Sequence, residues 1–239
     1  MVLRQYLRQR RAKKRIAADT LSDARLQTEA GRSEYWAEIG QECAESSLIH
    51  QLEHALKLPG DIAECGVYRG ASLRRIAKTV KEQAPEKTVF GLDSFEGFPD
   101  DGVTDKDTSQ GRSVLRLAGK FKDADDAPAR LEAYSEAFGL NIDLRKGYFE
   151  STLPTIADRN FCFLHIDCDT YSGHVEVLNA LYERLTPGGC IVFDDYHDDA
   201  WPGATEAVDA FFGKRQIEIQ LDRSRTNAAW YAVKPTEAV

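Results

Sequence analysis

No apolar run in the 239-residue chain approaches the 18 or so residues that a membrane-crossing helix needs. The start is basic and lacks an apolar core segment, so no secretory signal is expected. The five cysteines, Cys43, Cys65, Cys162, Cys168 and Cys190, show no CxxC spacing. An odd, unpaired set argues against a disulfide framework and fits a reducing cytoplasm, with the thiols acting as small hydrophobes in apolar runs. There is no surplus of positive charge either. The formal net charge is -8, and a broad basic surface for nucleic acid is missing. No internal repeat is present, and the GxGxxG pattern of dinucleotide sites is absent.

The net charge conceals an asymmetry. Residues 1–20 hold seven Lys or Arg and one acid, leaving 24 bases against 38 acids elsewhere. This basic arm has only a weak apolar stripe. Packing on a neighbouring subunit of a homo-oligomer is the expected role, ahead of peripheral contact with an anionic membrane or an acidic partner.

Residues 21–58 form an N-terminal helical extension, in which Tyr35, Trp36, Ile39, Cys43, Leu48, Ile49 and Leu52 recur at spacings of three and four. "LPGD" ends it. From residue 59 on, strand and helix alternate. Strands are expected in "DIAEC", "KTVFGLD", "NIDLRKG", "FCFLHID" and "GGCIVFDD", and helices in "ASLRRIAKTVKEQ", 126–139, "SGHVEVLNALYERL" and "GATEAVDAFFG". Two last strands, "QIEIQLD" and "NAAWYAV", are joined by a polar turn. The pattern predicts an α/β, Rossmann-like, mostly parallel seven-stranded sheet with helices on both faces and an antiparallel C-terminal hairpin. The polar segment of about 94–125 is too long for an ordinary connection and reads as a lid.

In such sheets ligands bind at the carboxyl ends of the strands, and acids gather at those ends here. "AECGVYRGAS" is a strand–turn–helix passage in which Gly66 and Gly70 allow close backbone approach, the helix start offers free N–H groups and Ser72 adds a hydroxyl. Glu64 stands where a dinucleotide site has its first glycine. It would repel a pyrophosphate and attract an ammonium or sulfonium. Asp93 ends the next strand, placed to hold both hydroxyls of a ribose. A ribose, an adenine and a small charged tail are the parts of S-adenosylmethionine. Asp167 and Asp169 follow one strand, and Asp194 and Asp195 the next. Four carboxylates in one region call for protonation, bases or a hard divalent cation, Mg²⁺ or else Mn²⁺ or Ca²⁺. His174 and His197 lie close enough in sequence to be second bases.

These residues carry a resemblance. "DIAECGVYRGASLRRIA", "GLDSFEGFP", "KGYFESTLP", "HIDCDTY", "LTPGGCIVFDDY" and "WPGATEAVDAFF" are similar, in order and spacing over about 59–235, to the macrocin O-methyltransferase family. The resemblance implies a class I methyltransferase fold over 59–239, S-adenosylmethionine and Mg²⁺, and methylation of sugar hydroxyls in antibiotics. By motif it implies metal ligation by Asp167, Asp194 and Asp195, a general base in Asp169, and cofactor loops containing Glu64, Gly66, Tyr68, Gly70, Ser72, Asp93 and Ser94. Tyr148 matches an aromatic near the adenine. The chain departs from the family with "SGH" at Ser172–His174, where "EST" is usual, and with an extra "HDDA" before "WPG". Both departures flank the expected metal site and bear on the acceptor, which the resemblance implies to be a glycoside diol. A catechol or other vicinal diol is the alternative, and a non-catalytic cofactor-binding module a second one.

Overall fold

The computed structural model describes residues 24–108, 114–118 and 120–236. The basic arm, 1–20, lies outside them. Seven strands form one sheet in the order β3-β2-β1-β4-β5-β7-β6: β1 Asp61–Cys65, β2 Val89–Asp93, β3 Ile142–Lys146, β4 Phe161–Ile166, β5 Leu185–Phe193, β6 Gln220–Asp222 and β7 Ala229–Val233. The first five are parallel, while β7 runs antiparallel between β5 and β6. Every residue of β4 is buried, as a central parallel strand covered on both faces requires.

The helices are α1 Glu29–Ala44, α2 Ser47–Ala55, α3 Ala71–Gln83, α4 Val114–Ala118, α5 Ala127–Phe138, α6 Phe149–Thr152, α7 Tyr171–Leu181 and α8 Pro202–Gly213. On one face α1, α2 and α3 enclose a core that includes Tyr35, Leu52, Leu73, Phe163 and Val192. On the other, α7 and α8 cover Phe90, Phe161, Leu178, Phe193 and Phe212. Fully burying side chains of this size contributes roughly 1.5–3 kcal/mol each.

Two features depart from the sequence reading. The helical extension is broken at Glu45–Ser46 although the apolar spacing runs through. There the backbone turns outward to the β6–β7 connection: Ser47 N donates to Asn227 O and Asn227 N to Glu45 O, both at 2.8 Å. Arg225 locks this seam, reaching Glu53 at 2.5 Å and Cys43 O at 2.9 Å. The turn after β3 also contains the short helix α6, which the sequence did not announce.

The long segment after β2 is not structureless. It carries a 3₁₀ turn at Asp105–Asp107 and helix α4, and it makes a small core of its own in which Val103 and Leu117 pack with Trp201 and Ala204.

Candidate active site

The carboxyl ends of β1, β2, β3, β4 and β5 open on one cavity of about 450 Å³. Its first wall is the turn after β1. Gly66 has φ +93, and a Cβ there would stand 2.0 Å from Asp167 O, so only glycine lets this turn lie against the end of β4. Asp167 N in turn donates to Cys65 O at 2.9 Å. Gly70 is left-handed at the start of α3, and a Cβ on it would press into Leu131 at 2.4 Å.

Asp93 fixes this turn. Its Oδ2 accepts from Val67 N and Tyr68 N, each at 2.7 Å, and its Oδ1 from Phe95 N at 2.6 Å. Burial pushes its pKa up, and the three N–H bonds pull against that. Tyr68, at φ 52, places its hydroxyl on Asp123 Oδ1 at 2.8 Å. The Ser94 hydroxyl is occupied in a local turn, donating to Gly97 O at 2.6 Å and accepting from Glu96 N. Tyr148 stands at the mouth of the cavity, 40% exposed, beside Phe149. Ser72 lines the wall from the first turn of α3. Glu64 sits lower. It is fully buried, bonded through Oε1 to His165 Nδ1 at 2.7 Å, and its Oε2 meets no partner. It is not among the lining residues, which include Gly66, Tyr68, Ser72, Asp93, Ser94 and Tyr148.

Beyond β4 and β5 the four aspartates converge, but not as one set. Asp167 clusters with Asp194 and His165, and separately with Asp169 and Asp195; in each trio one donor atom per residue lies within 4.8 Å of the others. Asp195 is fully buried and accepts from Asp169 N at 2.8 Å. Asp167, Asp169 and Asp194 line the cavity. Asp169 adopts φ 63, a left-handed conformation that aspartate tolerates better than most residues. His165 was missed by the sequence reading. The signal was its place two residues before Asp167, which in an extended chain puts both on one side.

Neither flanking histidine lines the cavity. His174 is fully buried, with Nδ1 2.9 Å from Thr170 O and 3.3 Å from Cys168 Sγ. Burial lowers its pKa and keeps it neutral. His197 is exposed, its ring against Tyr196 and Trp230 at 4.3 and 4.9 Å.

The cavity is roofed by Phe98, Pro99, Gly102 and Phe121. Phe98 meets Phe121 and Trp201 edge-on, both at 5.5 Å. The roof is moored at its far side. Ser172 Oγ donates to Gly102 O at 2.8 Å, and the buried Asp107 accepts from Tyr171 N at 2.6 Å. Thus Ser172, where the sequence departs from "EST", holds the roof.

Comparison with known proteins follows the same lines. The profile of the family described as Macrocin-O-methyltransferase (TylF) matches residues 8–232. The mycinamicin III 3''-O-methyltransferase of Micromonospora griseorubida is 32% identical over 192 residues, covering 74% of this chain and 72% of that protein. A 4'-O-methyltransferase of Streptomyces olivaceus, named for a dimethoxy-rhamnosyl tetracenomycin, is 31% identical and covers 67% of this chain and 60% of its own. Among solved structures, calicheamicin methyltransferase CalS11 superposes with a TM-score of 0.66 at 24% identity, over 86% of this chain and 80% of that one; this likeness speaks for the Rossmann-like methyltransferase fold. Among the described residues no helix is long and apolar enough to cross a membrane.

Proposed function

Because the chain belongs to the macrocin O-methyltransferase family, we propose that it methylates a sugar hydroxyl of a glycosylated natural product, using S-adenosylmethionine and a divalent cation. The observation that carries this reading is one cavity lined both by the clamped Asp93 and by the Asp167, Asp169 and Asp194 carboxylates. Two relatives named for sugar-bearing substrates or sugar positions support it.

The residues suit both groups. Asp93 faces the cavity near Tyr148, an acid for a ribose beside an aromatic surface for an adenine. Gly66 leaves room where a side chain would collide. The donor set at the other end is mostly carboxylate oxygen, which favours a hard cation such as Mg²⁺. When bound, the cofactor supplies an electrophilic methyl group and the cation supplies Lewis acidity to the acceptor oxygen.

The protein supplies the rest. Asp167 and Asp194 would hold the cation at the cavity wall, joined by Asp195, whose carboxylate clusters with Asp167 and also accepts from the Asp169 amide. Asp169 accepts the proton of the sugar hydroxyl, a step that general bases accelerate typically by about 10²–10⁴-fold. The roof of Phe98, Pro99 and Phe121 keeps water from the reacting centre.

The test is transfer from a labelled methyl donor to a panel of glycosides and catechols, with and without EDTA. Labelled glycoside that disappears reversibly in EDTA is expected. Labelled catechols alone would move the acceptor to the alternative class, full activity in EDTA would remove the cation, and absence of transfer to every acceptor would favour a binding module.

A further inference from the structure

One basic side chain in the cavity has no part in the scheme above. Arg75 lies one turn beyond Ser72 on the same face of α3 and lines the cavity together with Leu48 of α2. It is only 9% exposed. Its Nε donates to Ala71 O of its own helix at 3.3 Å. Among the described residues no acceptor reaches either Nη nitrogen, and no carboxylate comes within ion-pair distance. A guanidinium held this far from bulk water without an anion is costly, and the cost falls when a ligand brings the anion.

The surroundings say which anion. Ser72, 8% exposed, lines the same wall, and its hydroxyl makes no hydrogen bond among the described residues. The first turn of α3 adds the positive end of a helix of 13 residues. The planar fork of an arginine matches a carboxylate through two parallel N–H bonds. Donors of this kind fit the carboxylate at the end of an amino acid.

We propose that Arg75, with Ser72, binds the α-carboxylate of the cofactor's amino-acid tail. This rests on the methyl-donor reading above and assigns a residue to which the resemblance gave no role. Arg75 acts on ligand affinity, not on the acceptor proton.

The experiment is calorimetric titration of wild type, Arg75→Gln and Arg75→Lys with S-adenosylhomocysteine and with its decarboxylated counterpart, 5'-(3-aminopropyl)thioadenosine. The expected result is a loss of about ten- to a hundredfold for S-adenosylhomocysteine in Arg75→Gln, the range of a charge-assisted pair. Partial recovery in Arg75→Lys and an unchanged Kd for the decarboxylated ligand in all three proteins complete the pattern. Retained binding of the decarboxylated ligand also shows that the variants are folded. Equal losses for both ligands would make Arg75 structural and overturn the proposal, as would no loss for either. A wild type that binds neither ligand would instead remove the methyl-donor reading itself.

Discussion

Asp93 offers a perturbation whose size can be worked from its contacts. Replacing it with Ala deletes one ligand-facing carboxylate and, at the same stroke, the acceptor for three backbone N–H groups of Val67, Tyr68 and Phe95. Hydrogen bonds to a charged group contribute about 1.5–3 kcal/mol each. Full loss of all three is an upper bound, because the turn borders the cavity and water can replace part of what is removed. An expected destabilisation of about 2–4 kcal/mol lowers the melting temperature by roughly 5–15 °C for a chain of this length. Asp93→Asn keeps one oxygen, which can serve either the Val67–Tyr68 pair or Phe95, and should fall about midway. Thermal melts of the ligand-free protein, followed by circular dichroism, measure this. Titration with S-adenosylhomocysteine then reports the ligand contact separately, with a loss of tenfold or more expected by about the same bond energy. An unchanged melting temperature in Asp93→Ala would refute the clamp, leaving a residue that touches ligand only.

Asp169→Asn should lower turnover by about 10²–10⁴-fold while leaving the melting temperature nearly unchanged, since Asn tolerates the left-handed backbone; Asp169→Ala should add roughly 1–2 kcal/mol of instability, and equal melts for the two would count against strain at this position. Asp194→Ala should weaken Mn²⁺ binding read by electron paramagnetic resonance, with activity recovering at raised Mg²⁺; unaltered Mn²⁺ affinity would exclude Asp194 as a ligand. Burial pulls the Asp222 carboxyl up, but hydrogen bonds from His50, Gln51 and Ser224 outweigh it and hold it well below the usual carboxylate range. Its contribution is therefore present above the unfolded value near 4 and is lost as pH falls below it. Acid melts should show wild type losing that increment below about pH 4 and Asp222→Asn losing less; parallel acid profiles would contradict it.

Strand ends were legible because their chemistry is local. An apolar run closing in an acid, as in "VFGLD" or "FLHID", places Asp93 and Asp167 at the carboxyl edge whatever the rest of the chain does, and the alternation of elements then gives the sheet. The site's interior was less legible because it depends on where side chains cross between elements. Asp194 and Asp195 are adjacent, yet one lines the cavity and the other turns into the protein to take the Asp169 amide. Arg75 reads as an ordinary helix charge until α2 is laid beside it. The break at Glu45–Ser46 was invisible to periodicity, since its cause lies at Asn227, far along the chain.

That seam between Glu45–Ser47 and Asn227 orders events during synthesis. The bonds that Glu45 and Ser47 make to this seam cannot form until the β6–β7 connection has been made, because their partner, Asn227, lies there. Closing contacts this far apart carries a high loop entropy and comes late in folding. Until then the helix that buries Leu48, Ile49 and Leu52 lacks its anchor to the β6–β7 connection. Completion of the β6–β7 hairpin is then the step that joins α1 and α2 to this edge of the sheet.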